Sequence, residues 1–166
     1  MQKILKSNHT KQHYDMISIS QANLQNVHKI ATFQVAMAKE TEDLKLQQEV
    51  VEEGVRYFFD HPEAGFYLLA LYNKKIVGSL LVQDEWSEWR NAKVIWVHSV
   101  YIIPPFRGKG IYKKLYEEVK EIAVQTPEIA GIRLYVDKTN AVAKKVYERM
   151  GMSSQHYDLY EWMKDF

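Results

Sequence analysis

The stretch Ile102-Ile103-Pro104-Pro105-Phe106-Arg107-Gly108-Lys109-Gly110 decides how this chain is read. Val94 to Ile103, apolar and β-branched, leads into it, and Ile111 to Val124 follows with an amphipathic helical pattern. A glycine-rich basic turn thus stands between a strand and a helix N-terminus. Helix N–H groups without intrahelical acceptors meet the positive end of the helix dipole there, which makes an anion site. Glycines let a backbone approach a phosphate closely, and Arg107 and Lys109 add positive charge. The turn points to a phosphorylated ligand; its plainer reading is a solvated basic loop. The chain has no G-x-x-x-x-G-K-[ST] and no G-x-G-x-x-G after an early strand, so neither a P-loop nor a dinucleotide site is expected.

C-terminal to this turn, Ile132 to Val136 reads as a buried strand, extended to Gly131 at its start. A helix is expected over Asn140 to Met150. Ala143, Val146, Tyr147 and Met150 fall at i, i+3, i+4 and i+7, which is one helix face. Thr139 or Asn140 suits its start and Gly151 its end. On the residues alone, the Tyr147 ring belongs to the core.

N-terminal to the turn, residues Met1 to His13 are polar and basic, either ragged or an extension of the first strand. Tyr14 to Ile19 alternates as a strand. Ser20 is a candidate cap for a helix to about Met37, and Ala38 to Asp43 reads as a polar loop. A second helix, Leu46 to Phe59, stops at His61-Pro62. Strands Gly65 to Tyr72 and Lys75 to Gln83 flank a hairpin turn at Asn73-Lys74. Glu85 to Asn91 reads as a loop rich in tryptophan and acid, Ala92 to Ile103 as the central strand, and Ser154 to Met163 as one or two closing strands.

The two motif segments resemble the GNAT superfamily of acetyl-CoA-dependent N-acetyltransferases. The family's pyrophosphate motif, [QR]-x-x-G-x-[GA], is matched by Arg107-Gly108-Lys109-Gly110-Ile111-Tyr112, with Tyr112 where the family has Gly or Ala. Its next motif, N-x-x-A-x-x-x-Y-x-x-x-G-[FM], is complete as Asn140, Ala143, Tyr147, Gly151 and Met152. The resemblance implies an α/β (α+β) fold over residues 1–166 as a single domain. Its sheet would be mixed but mostly antiparallel, with about six to seven strands splayed at the centre and about four flanking helices. It implies acetyl-CoA as cofactor, with the pyrophosphate at Arg107, Gly108, Lys109, Gly110, Ile111 and Tyr112. The pantetheine arm would pair with the backbone of Val100, Tyr101 and Ile102, and Asn140 and Tyr147 would also serve the cofactor. The Tyr112 ring must then point away or lie along the cofactor.

Bulk properties bound the alternatives. A chain of 166 residues, 46% hydrophobic and 26% charged, fits one globular domain with a sizeable core. A net charge of +1 gives no support for a nucleic-acid binder. The absence of cysteine excludes disulfides, Cys-ligated zinc and a cysteine acyl-enzyme, and is compatible with the cytoplasm. No apolar run approaches the roughly 20 residues of a membrane span. No leader peptide is expected. The histidines, His9, His13, His28, His61, His98 and His156, show no metal-ligand spacing.

Acyl transfer to an amine needs a held thioester, a deprotonated amine, a donor for the oxyanion and a proton for the departing thiolate. Without cysteine, direct attack in a ternary complex is the simplest scheme. The resemblance places Tyr147 as the acid for the thiolate; the alternative is that its hydroxyl only bonds the cofactor sulfur or a main-chain group. For the base, His98 shares side-chain parity with Val100 and Ile102 along the central strand and titrates near neutrality. It reads equally as a packed core histidine. Glu85 is the other candidate base. Glu40 and Glu42 read as loop residues near the acceptor, or as a solvated turn. Trp86, Trp89 and Trp96 line an acceptor pocket, or pack as core and homodimer surface. The expected acceptor is a small-molecule or protein amine, with acid and aromatic residues leaning toward a cationic one. A non-enzymatic acyl-CoA-binding module is the alternative function.

Overall fold

The computed structural model describes residues 16–164. They form five strands and four α-helices. The strands are β1 (Ile17–Gln21), β2 (Phe66–Tyr72), β3 (Lys75–Ser87), β4 (Ala92–Ile102) and β5 (Ile129–Leu134). The helices are α1 (Val27–Glu42), α2 (Gln48–Asp60), α3 (Ile111–Gln125) and α4 (Ala141–Arg149). Residues up to Arg133 make one compact unit and those from Leu134 another.

The sheet order is β1-β2-β3-β4-β5. β1 to β4 are successive antiparallel neighbours, with α1 and α2 lying between β1 and β2 in the chain. The β2–β3 turn is the expected Asn73-Lys74 pair, both with left-handed φ (48° and 67°), which matches the twist of a two-residue hairpin. β5 joins β4 after the α3 crossover, where the Lys93 N–H donates to the Glu128 carbonyl at 2.7 Å. Among the described residues, the registered partners of β4 from His98 to Ile102 all lie on β3.

Both faces of this sheet are covered. Tyr67, Leu69 and Leu81 are buried with Val27, Ile30 and Ala31 of α1 and Val55 of α2. Burial pushes the Tyr67 phenol up to about 12. The alternate residues Leu68, Ala70, Leu80 and Val82 are also buried. Facing them, α3 turns in Ile111, Leu115, Tyr116 and Val119, and touches β1, β2 and β4. Strand alternation thus assigns α1 and α2 to one face and α3 to the other.

Several expectations are corrected. The side-chain cap is Asn23, at the 3-10 turn Leu24–Asn26 that leads into α1, and not Ser20, which lies within β1; α1 itself has no side-chain cap. The Asn23 side chain accepts from the Gln25 N–H and the Asn26 side chain from the Asn23 N–H, satisfying the first orphan donors reciprocally. The polar stretch Ala38 to Glu42 is the last turn of α1 rather than a loop. Ala38 is buried on the core-facing stripe, and Asp43 ends the helix in a left-handed conformation (φ 55°), so polarity alone did not break it. Glu85, Trp86 and Ser87 continue β3, because each pairs across to β4 at Val94, Lys93 and Ala92. β5 starts at Ile129, two residues before Gly131. Ser154 to Met163 forms no strand. An alternating pattern supplies a face, but a strand also needs a hydrogen-bonding neighbour. The sheet therefore has five strands among the described residues, below the expected six to seven. Tyr14 and residues 1–13, read as strand and strand extension, lie outside the described residues. No described helix is long and apolar enough to cross a membrane.

Candidate functional site

The turn after β4 is built by the backbone. The Ile103 N–H is tied to the Val77 carbonyl at 3.0 Å, and a single 3-10 turn over Pro104–Phe106 follows. Gly108 and Gly110 then take left-handed φ values of 73° and 78°, which only glycine adopts at little cost. Gly110 sits at the N-cap of α3 and gives its first turn no side-chain cap. A cap residue without a side chain leaves the helix-start amides to an external acceptor. No atom lies within 4 Å of where a Cβ would stand at either glycine, so the cradle is open. A phosphate fits this donor set.

The two expected cations behave differently from simple solvated charges. The Lys109 ammonium lies over the rings of Tyr72 and Phe106, 5.0 and 5.9 Å from their centroids. Arg107 donates from Nε to the Ile102 carbonyl at 2.7 Å and grips Glu40 with both terminal nitrogens. That hydrogen bonding holds the Glu40 carboxyl below its usual range and pushes Arg107 further up. The Tyr112 ring stacks along α3 on Tyr116, with centroids 6.4 Å apart. A large residue is thus accommodated at the position where the family has a small one. Ile111 is buried beneath the turn.

The edge expected to hold the arm is not a regular strand. Opposite Leu80, β4 carries an extra residue: Leu81 pairs with His98 and Ser79 with Tyr101. Ser99 has φ 51° at this bulge. Gln34 of α1, itself buried, donates to the Ser99 carbonyl at 3.3 Å. Gly78 pairs with Ile102 just beyond the bulge, where a Cβ would come within 2.7 Å of the Tyr101 carbonyl. The bulge overturns the simple parity argument. His98 shares its face with Tyr101, through the Leu81 and Ser79 register, and not with Val100 and Ile102. That face is the one covered by α1, where Tyr101 packs against Phe33, 5.8 Å between centroids.

On the same face, β3, β4 and β5 assemble a polar cluster. The His98 ring lies parallel to Trp96, 5.9 Å away. The Trp96 indole N–H donates to Glu85 Oε2 at 2.5 Å, and Arg133 donates to Glu85 Oε1 at 2.7 Å. The Arg133 guanidinium also lies 5.6 Å over the Trp96 ring. Burial pushes the His98 imidazole below its ordinary value of 6.5. His98 is therefore neutral at neutral pH, the form that accepts a proton. Glu85 already has both carboxylate oxygens committed. Trp86 and Trp89 do not join this group; they are 58% and 84% exposed at the β3–β4 hairpin. Glu42 is exposed at the end of α1.

In the unit from Leu134, the second motif caps a helix at both ends. The Asn140 side chain accepts from the Ala143 N–H at 3.0 Å. The Gly151 N–H donates to the Glu148 carbonyl and the Met152 N–H to the Tyr147 carbonyl, with Gly151 left-handed at φ 85°. These two bonds are a Schellman closure. Tyr147 is half-buried on α4.

Three contributors were not singled out from the sequence: Arg133, Gln34 and the Ser99 bulge. Arg133 carried a signal, a charge inside a strand otherwise read as buried. Gln34 and Ser99 carried none, since only the β3–β4 register reveals the extra residue.

Comparison with known proteins agrees with this architecture. A structure from Clostridium difficile, described as that of a possible acetyltransferase, superimposes with a TM-score of 0.82 at 35% identity, covering 90% of this chain and 99% of that one. An uncharacterized N-acetyltransferase of Archaeoglobus fulgidus is 31% identical over 81 residues, 48% of this chain and 54% of that protein. The match thus spans about half the length of that curated relative. A predicted acetyltransferase from Clostridium acetobutylicum, solved with acetyl-CoA, shares the fold at a TM-score of 0.68 and 14% identity over 91% of this chain and 96% of its own. The model of the Acetyltransferase (GNAT) family matches residues 29–152, a span that holds both the glycine turn and the helix from Asn140 to Gly151. On that match, the chain belongs to the GNAT family of acetyltransferases.

Proposed function

We propose that this protein is an N-acetyltransferase that moves an acetyl group from acetyl-CoA to a primary amine by direct attack in a ternary complex. One observation carries the reading: the paired left-handed glycines at the uncapped start of α3, an open cradle of backbone donors directly after the central strand. Acetyl-CoA supplies the acetyl group as an activated thioester. Gly108 to Tyr112 receive its pyrophosphate, and the backbone of Val100 to Ile102 holds the arm. His98, neutral and half-buried, takes the proton from the acceptor ammonium. Its position on a rigid strand, and the prior engagement of both Glu85 oxygens, favour it over Glu85. The Tyr147 hydroxyl gives its proton to the departing sulfur, a role that rests on its place in the motif. The amine nitrogen gains the acetyl carbon as the carbon–sulfur bond breaks.

The acceptor is a small-molecule or protein amine. The acid near the candidate base does not make a strongly anionic wall, because Glu85 is paired with Arg133. That argues against a multiply charged polyamine. Thiol release from acetyl-CoA, measured against a panel of amines, tests the proposal. Release that depends on one amine class supports it. CoA binding without release by any amine favours the non-enzymatic acyl-CoA-binding module instead.

A further inference from the structure

A basic residue in a phosphate-binding turn is expected to present its charge outward, and Arg107 does not. All three guanidinium nitrogens are engaged within the protein: Nε with the Ile102 carbonyl at 2.7 Å, Nη1 and Nη2 with Glu40 Oε1 and Oε2 at 2.5 and 2.7 Å. The plane lies 5.3 Å over the Tyr101 ring, and the Tyr101 hydroxyl donates to Glu40 Oε2 at 3.5 Å. Glu40 comes from the last turn of α1, 67 residues away in sequence. A carboxylate and a phosphate compete for the same guanidinium fork, because both match its parallel N–H bonds.

We propose that Glu40 masks Arg107, so that a phosphate entering the glycine turn meets backbone amides first and wins the guanidinium only by displacing the Glu40 carboxylate. This rests on the reading that the turn takes the pyrophosphate of acetyl-CoA. Glu40 is then a positioning residue that acts through Arg107. The mask weakens the hold on CoA, which is also the product that must leave after each turnover. It further ties the end of α1 to the state of the turn, since the same carboxylate also receives the Tyr101 hydroxyl.

Calorimetry with CoA separates this from a structural salt bridge. Both partners of the pair are 42% exposed at the side chain, so the effect is that of a half-exposed ion pair. Glu40→Gln should bind CoA about two- to fivefold more tightly than wild type, with the gain shrinking as salt rises. Glu40→Asp, which keeps the charge, should return affinity toward wild type. In an Arg107→Gln background the Glu40→Gln gain should vanish, because no guanidinium remains to be released. In steady-state kinetics the gain should appear in KM for acetyl-CoA and leave KM for the amine unchanged. Unchanged or weaker CoA binding by a folded Glu40→Gln protein overturns the mask. So does an equal gain in the Arg107→Gln background, which would mean that the carboxylate acts through space alone. If wild type itself fails to bind CoA at millimolar concentration, the reading of the turn falls, and the mask falls with it.

Discussion

The Gln34 side-chain amide donates to the carbonyl of Ser99 at 3.3 Å, joining the middle of α1 to the one residue of β4 with a left-handed backbone. Gln34 is a buried polar group among apolar neighbours, and this bond gives its amide a partner. The bulge it holds sets which side chains of β4 face α1. The edge beside the glycine turn is thus shaped by a helix distant in sequence.

Gln34→Leu keeps the volume and removes the donor. The Ser99 carbonyl then loses a buried partner, which costs on the order of 1–3 kcal/mol. Urea denaturation should show a lower midpoint with an unchanged slope. An unchanged midpoint would mean that the amide does not hold the bulge.

His98 gives a stability prediction with a definite sign. Its folded-state value lies below the ordinary 6.5 because burial disfavours the charged ring. The unfolded chain therefore binds the proton more readily than the fold does. The neutral ring carries no penalty above the ordinary value, and stability falls as the pH drops through 6.5 toward the lowered folded value. His98→Gln should flatten the part of the acid-side loss that lies in this window, measured by melting temperature against pH. Turnover limited by this base should rise through the same lowered value, and His98→Gln should remove that limb. A wild-type rate profile with no group titrating below 6.5 would count against His98 as base.

Glu85→Gln should act on the fold of the cluster more than on proton transfer. It removes the charge that Arg133 and the Trp96 indole both address. With the pair partly exposed, a stability loss of about 1 kcal/mol is expected. The acid limb of the rate profile should stay in place. A disappearing limb in Glu85→Gln, with His98→Gln normal, would transfer the base role to Glu85.

Gly110→Ala isolates backbone strain. A Cβ at this position meets nothing within 4 Å, but φ is 78°. The cost is that of a left-handed residue, roughly 1–2 kcal/mol, read as a fall in melting temperature. If the amides of this turn hold the pyrophosphate, CoA affinity falls together with stability. Affinity that survives a clear loss of stability would place the phosphate elsewhere.

Tyr147→Phe keeps the ring on α4 and removes the hydroxyl. Loss of a general acid lowers turnover by about 10²–10⁴-fold, while CoA binding should change little. Single-turnover measurements test this directly. An unchanged chemical step would leave Tyr147 as a packing residue.

The glycine turn and the Asn140–Gly151 helix were legible from the chain because their determinants are local. Gly108, Gly110 and Gly151 mark left-handed backbone, and Thr139 or Asn140 is read as the cap by type and place, Asn140 being the one that takes it. The Asn73-Lys74 hairpin was legible for the same reason. Other features were set by partners distant in sequence. Ala38 to Glu42 is polar enough to read as a loop, yet the buried face of α1 carries the helix through it. His98 looked equivalent to Val100 and Ile102 until an unmatched residue opposite Leu80 shifted the phase of β4. Arg107 looked like an open cation until Glu40 arrived from the end of α1. Sequence alone determined where backbone donors converge, since backbone conformation follows from residue type over a few positions. Only the tertiary structure decided which charges remain available at the turn and which face His98 takes, because ion pairing and strand register depend on groups brought together from across the chain.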